Sequence, residues 1–199
     1  MNNFKTMCVY CGSSDRMDGV YIEAARRLGR LLAGRGVGLV YGGGKTGLMG
    51  AVADGVLEGG GQVTGILPQQ FYTPELAHPG LTSLEVVADM HARKARMASL
   101  ADGFIALPGG YGTFEEFFEI LTWAQIGLHA KPIGLLDVNG YYQPLLELVR
   151  HSGEHGFIYP DHLELFRCAA QGEQLLALME NYRPPQHLAR WVERESYGK

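Results

Sequence analysis

Cysteine is scarce in this sequence: Cys8, Cys11 and Cys168 are the only three in a chain of 199 residues. An odd and sparse set excludes a disulfide scaffold and fits a reducing compartment, so a cytoplasmic location is expected. Cys8 and Cys11 have the spacing of a redox pair or half a zinc site, but both fall in one apparent strand, where positions three apart point to opposite faces. No second Cys or His pair stands at zinc spacing, and the seven histidines form no HExxH pattern. No metal is therefore expected, and the thiols are expected to be buried. Long apolar runs are missing as well: none reaches the about 18 residues a membrane span needs. The opening MNNFKTMCVYCGSS lacks the apolar core and small-residue cleavage site of a signal peptide. Positive charge is not in excess. The net charge is −4, which speaks against nucleic acid or anionic membrane as a partner. An anionic ligand would have to be held by a local arrangement of donors. A serine in a G-x-S-x-G elbow is also absent.

What is present is an ordinary globular balance, 46% hydrophobic and 19% charged, with 28 glycines gathered at a few definite places. Strand-like and helix-like segments alternate. Strands are predicted over 7–11, 36–41, 62–67, 84–88, 103–107 and 132–136, with a weaker seventh over 165–169. Helices are predicted over 21–35, 46–59, 90–101, 114–126, 142–151 and 172–181, with Asp89 as a cap. The small residues of 46–59 suit tight packing on a sheet, and 68–82 reads as a proline-bearing loop. Such alternation implies βαβ units and an α/β, Rossmann-like, doubly wound parallel sheet of about seven strands with helices on both faces. One domain over 1–182 and a C-terminal tail over 183–199 are expected.

Three segments fall on the carboxyl rim of that sheet, where such folds bind ligands. The first is Gly42-Gly43-Gly44-Lys45-Thr46-Gly47. Gly42, Gly44 and Gly47 fit a dinucleotide turn, but no carboxylate ends the next strand, about 20 residues on, where the ribose would need one. Gly44-Lys45-Thr46 mimics the end of a P-loop whose first glycine would fall at Leu39, so that reading fails. A tight strand-to-helix turn and a phosphate- or ribose-facing loop remain as equal readings. The second segment is Pro108-Gly109-Gly110-Tyr111-Gly112-Thr113-Phe114-Glu115-Glu116. Its glycines can aim backbone N–H groups at a 5′-phosphate, and the following helix adds its positive end. Thr113-x-x-Glu116 is equally a capping box, in which Glu116 only bonds back to the cap. The third is Asp89-Met90-His91-Ala92-Arg93-Lys94-Ala95-Arg96, with cations at the helix end where the macrodipole disfavours them. A solvated basic face is one explanation. An anion-facing Arg93 is the other, with Lys94 turned about 100° away.

Taken together these segments closely resemble the LONELY GUY (LOG) family, which hydrolyses cytokinin riboside 5′-monophosphates and whose members are often labelled lysine decarboxylases. The resemblance runs from Cys8-Val9-Tyr10-Cys11-Gly12-Ser13-Ser14 through Tyr41-Gly42-Gly43-Gly44 and Gly47-Leu48-Met49-Gly50 to Gly140-Tyr141-Tyr142. Its most specific parts are Met90-His91-x-Arg93-Lys94-x-x-Met97 and the Pro-Gly-Gly-x-Gly-Thr-x-x-Glu run at 108–116. The resemblance implies that Arg93 and Glu116 are catalytic. It also implies that Glu75, Lys94, Thr122 and the 110–116 loop contact the nucleotide. With the rim glycines added, the expected binding set is Ser13, Gly43, Gly44, Glu75, Lys94, Gly109, Gly110, Tyr111, Gly112, Thr113 and Thr122. It further implies a homodimer, with sites near the subunit interface and no metal or cofactor. The bulky residues Phe114, Phe117, Phe118, Leu121 and Trp123 suit such an interface, and pattern alone does not separate them from core. The expected reaction splits the ribose–base bond of a purine 5′-monophosphate. Glu116 would stand beside C1′, where oxocarbenium charge develops. A non-catalytic nucleotide carrier is the alternative, and a pyridoxal-phosphate decarboxylase would need Lys45 or Lys94 as its Schiff-base lysine.

Overall fold

A computed structural model of the protein describes residues 2–186 and Leu188. The continuously apolar segments at 37–40 and 104–107 lie near the centre of the molecule, in strands covered on both faces. The elements in chain order are β1 (Thr6–Tyr10), α1 (Gly19–Gly34), β2 (Gly38–Tyr41), α2 (Gly47–Glu58), β3 (Val63–Pro68), β4 (Ser83–Val87) and α3 (Met90–Leu100). They continue as β5 (Gly103–Ala106), α4 (Tyr111–Gln125), β6 (Ile133–Leu136), α5 (Gln143–Glu154), β7 (Phe166–Ala169) and α6 (Gly172–Glu180). All seven strands form one sheet in the order β4-β3-β2-β1-β5-β6-β7, and every pairing is parallel. This is the doubly wound Rossmann-like sheet expected from the alternation. The order reverses between β1 and β5, and the crevice outside those two strand ends is the switch point.

Two cores form, one on each face. Leu28 and Leu32 of α1, Val52 and Val56 of α2, and Leu175 and Met179 of α6 meet one side of the sheet. Met97 of α3 and Phe117 and Ile120 of α4 meet the other, with Leu145 and Val149 of α5 packed against them. Cys8 and Cys11 are free, buried and divided between these two cores, as strand alternation requires. Cys168 departs from the expectation of buried thiols: it is half-buried on β7, with its pKa pushed up to about 11 by burial. Helix α2 packs on α1 as well as on the sheet, where Gly55 lies against the Arg26 carbonyl.

The main boundary shift is at α4, which starts at Tyr111, three residues before the predicted 114. Gly110 is the cap residue, and its carbonyl accepts the Phe114 N–H at 3.0 Å. Helix α1 starts at Gly19 and α5 runs on to Glu154, so both are longer than their periodic cores. The 68–82 loop contains a short 3-10 turn, Gln69–Phe71, and pairs once with the Gly42–Gly44 turn through a Gly44–Ala77 bridge. Most of the tail expected from Arg183 lies outside the described residues. Among the described residues no helix is long and apolar enough to cross a membrane.

Candidate active site

A cleft of about 570 Å³ opens at the switch point. The turn after β1 supplies Gly12, Ser13 and Ser14, and α2 supplies Leu48 and Met49. Arg93 comes from α3, the segment from Pro108 to Thr113 and Glu116 from the start of α4, and Tyr141 from the turn after β6.

Helix α3 places Arg93. Asp89 caps it as expected, accepting the Ala92 N–H at 2.8 Å. One turn on, the Arg93 Nη1 donates to Glu116 Oε1 at 2.9 Å and its Nε donates to the Ile66 carbonyl at 3.2 Å. Glu116 is 9% exposed. Burial raises its pKa above the usual carboxylate value, and the Arg93 guanidinium opposes that rise without cancelling it. The capping box does not form. With the helix starting at Tyr111, Thr113 is already a helical residue, 3% exposed, and the Glu116 carboxylate is turned to Arg93.

Neighbouring cations go elsewhere. Lys94 is 6% exposed and donates to Glu119 at 2.9 Å and to Glu115, outside the cleft. Burial alone would lower its pKa, but the two carboxylates outweigh it and hold the lysine charged. Arg96 pairs with Glu85 at 2.9 Å. The basic run is thus neither a free solvated face nor a single anion patch. It is one cation in the cleft and two tied to carboxylates of other elements.

Of the expected binding residues, Ser13, Gly109, Gly110, Tyr111, Gly112 and Thr113 lie in the cleft wall together with Arg93 and Glu116. Gly43, Gly44, Glu75, Lys94 and Thr122 do not. Gly43 packs on Leu67 and Leu84, with φ +77°. Gly44 turns its carbonyl to the Tyr41 hydroxyl at 3.0 Å. Glu75 is fully exposed on the 68–82 loop, its pKa lowered by hydrogen bonds from its own N–H and from Thr73. Thr122 is exposed on α4 and donates to the Phe118 carbonyl at 2.7 Å. The expected site residues left out Cys11, Gly12, Ser14, Met17, Tyr21, Leu48, Met49, Pro108 and Tyr141, which also form the wall. All but Met17 and Tyr21 of these stood within the motifs quoted above, which were the available signal.

The glycine turn after β2 has a steric purpose that no motif reveals. A Cβ on Gly42 would lie 1.8 Å from Arg93 Nη2 and 2.7 Å from the Met49 methyl. Gly42→Ala should therefore push the guanidinium off Glu116. At least a tenfold loss of kcat/KM is expected from displacement of a charged group in the cleft, on the order of 1.4 kcal/mol of transition-state stabilisation. Steady-state kinetics beside a thermal melt checks this, and wild-type kinetics in a folded variant would remove the glycine from the argument.

Fold and cleft together define a class: a doubly wound α/β protein with a glycine-rich helix entry and a buried arginine–carboxylate pair at its switch point. Comparison with known proteins narrows this. Residues 49–179 match the family model described as "Possible lysine decarboxylase". Over 183 residues the chain is 47% identical to the cytokinin riboside 5′-monophosphate phosphoribohydrolase LOG3 of Arabidopsis thaliana, covering 92% of this chain and 85% of that one. It is 46% identical over 183 residues to an Oryza sativa subsp. japonica protein named "Probable cytokinin riboside 5'-monophosphate phosphoribohydrolase", with 92% and 87% covered. The chain belongs to the LONELY GUY family. Among solved structures, the molybdenum cofactor binding protein of Rippkaea orientalis matches with a TM-score of 0.67 and 22% identity, covering 88% of this chain and 95% of that one. The molybdenum cofactor carrier protein of Chlamydomonas reinhardtii matches with 0.66 and 22%, covering 88% and 99%. At that identity the likeness is one of fold.

Proposed function

We propose that this chain hydrolyses the N-glycosidic bond of purine 5′-monophosphates, of cytokinin ribosides or adenosine, to free base and ribose 5-phosphate. The observation that carries the reading is the Arg93–Glu116 pair, buried in the cleft just behind the first amides of α4. Those amides have no intrahelical carbonyl to reach, and with the helix dipole they suit a phosphomonoester. A helical side chain leans back toward the N-terminus, so Glu116 points to where the ribose of a bound nucleotide would lie. As the C1′–N bond lengthens, the carboxylate stabilises the oxocarbenium charge and either attacks C1′ or takes a proton from the attacking water. Water's oxygen ends on C1′ and the base leaves with the bonding pair and a proton. Arg93 holds Glu116 ionised and orients it; as a guanidinium it is not the acid.

The identity to the phosphoribohydrolases of Arabidopsis and rice supports this substrate class. A decarboxylase reading finds no lysine in the cleft wall. Lys94 is bound to two carboxylates and Lys45 to the Pro74 carbonyl at 2.7 Å. The reading needs no metal or cofactor, and it places the enzyme in the cytoplasm as a homodimer. Phe118 on α4 is 41% exposed and suits a surface that a second copy would cover. Chromatography of products after incubation with AMP and with isopentenyladenosine monophosphate tests the function. Release of free base is the expected result, whereas saturable binding without base would make the protein a nucleotide carrier.

The pH profile follows from the burial of Glu116. The reactive form is the carboxylate, and desolvation raises its pKa from the ordinary 4.5. Lowering the pH therefore protonates it earlier than an exposed glutamate. The acidic limb of kcat/KM should fall above the usual carboxylate range, and a limb at or below 4.5 contradicts the assignment.

A further inference from the structure

The loop that enters α4 is held by its carbonyls. Leu107, Pro108 and Gly109 are consecutive, and each carbonyl accepts from a different residue: the Tyr142 hydroxyl at 2.6 Å, the Gly12 N–H at 3.0 Å and the Tyr141 hydroxyl at 2.5 Å. Both tyrosines come from the turn after β6. That turn is fixed by the buried Asp137, whose carboxylate accepts the Tyr142 N–H at 2.7 Å and the Gln143 side-chain amide at 2.5 Å. The Tyr141 ring is braced edge-on against Tyr142, with centroids 5.2 Å apart, and against Tyr21 of α1, at 6.1 Å.

These contacts matter most at the peptide between Gly109 and Gly110. Flanked by two residues without Cβ atoms, it can flip at small steric cost. In a trans peptide the C=O and N–H point in opposite directions. With its carbonyl tied to Tyr141, the Gly110 N–H is fixed; flipped, the carbonyl dipole would take the place of the donor. An anion gains from the first orientation and is repelled by the second. A Cβ on Gly109 would lie 2.1 Å from Thr113 Oγ1, so the position cannot be stiffened by a larger residue, and the restraint must come from outside the loop.

We propose that Tyr141 is a positioning residue whose hydroxyl locks the Gly109–Gly110 peptide in the anion-accepting orientation, so that the cleft selects ligands carrying a phosphomonoester. The inference rests on the reading that the 5′-phosphate binds at the start of α4. Tyr141→Phe keeps the ring and its two aromatic neighbours and removes only the hydroxyl. Calorimetry with ribose 5-phosphate should show binding weakened by roughly 5–30-fold, the range expected for one lost hydrogen bond to a loop that must then reorder. The loss in kcat/KM for AMP should fall mainly on KM, and the thermal melt should stay within a few degrees. A general packing role would instead lower the melt without separating KM from kcat. Ribose 5-phosphate binding equal in both proteins, or a loss confined to kcat, overturns the role of Tyr141 and leaves the hydrolase reading intact. No ribose 5-phosphate binding by the wild-type protein overturns the placement of the phosphate, and the role of Tyr141 with it.

Discussion

Glu116→Gln is expected to abolish turnover of AMP, with kcat lower by about a thousandfold or more, while nucleotide binding stays within a few-fold of wild type. The magnitude combines the loss of a general base or nucleophile, worth roughly 10²–10⁴, with the loss of the negative charge facing the oxocarbenium ion. Glutamine has nearly the shape of glutamate, and its amide oxygen can still accept from Arg93 Nη1, which donates to Glu116 at 2.9 Å. In the proposed binding mode the phosphate meets the start of α4 and not this side chain, so the ground-state complex should survive. A structural cap behaves differently: its removal costs about 0.5–2 kcal/mol of stability and leaves chemistry alone. Product chromatography for kcat and calorimetry for AMP affinity separate the two. Hydrolysis within tenfold of wild type would remove Glu116 from the reaction.

Much of this site could be read from the residues alone, for identifiable reasons. Strand and helix alternate with different periods, so the sheet and its rim were visible before any packing was known. The 100° rotation between successive helical residues, about what an ideal helix gives, separated Arg93 from Lys94. In the structure one enters the cleft and the other meets Glu115 and Glu119. The start of α4 was not legible. A run of glycines reads as loop, and Thr113 three residues before Glu116 mimics a cap; only the backbone shows that Gly110 ends the loop. Nor could local pattern sort the aromatic face of α4. Phe117 is 1% exposed, and Phe114, Leu121 and Trp123 pack against the same core, while Phe118 is 41% exposed. Contacts between distant segments stayed hidden for a simpler reason: the fit of Gly42 to Arg93 and the grip of Tyr141 on Gly109 join elements whose separation in sequence carries no periodic signal.

Replacing Arg93 should have the second large effect, and a composite one. Arg93→Met keeps an unbranched stem, removes the guanidinium and leaves Glu116 buried without its cation. The two side chains are 12% and 10% exposed, so surface-pair values do not apply. Removing one partner of a buried pair costs about 3–5 kcal/mol, and residual exposure favours the lower end. Activity should fall by about a thousandfold at neutral pH, because the carboxylate loses the charge that keeps it ionised and oriented. Two further measurements show that the effect passes through Glu116. The acidic limb of kcat/KM should move to still higher pH, since the one strong influence lowering the Glu116 pKa is gone. Stability should also depend more steeply on pH than in the wild-type protein. A carboxyl whose folded pKa lies above its unfolded value binds more protons in the native state between those two values. Its contribution is therefore fully present below about 4.5 and is lost as pH rises through the folded pKa. The Arg93→Met deficit should then be smallest in mild acid and grow toward neutrality. Adding Glu116→Gln removes the buried charge itself, so the double variant should recover much of the lost stability while remaining inactive. Denaturant unfolding of all four proteins at acidic and neutral pH measures the coupling. Strictly additive losses at neutral pH would mean that Arg93 and Glu116 do not act as a pair, and the account of how this cleft keeps a buried carboxylate reactive would fail.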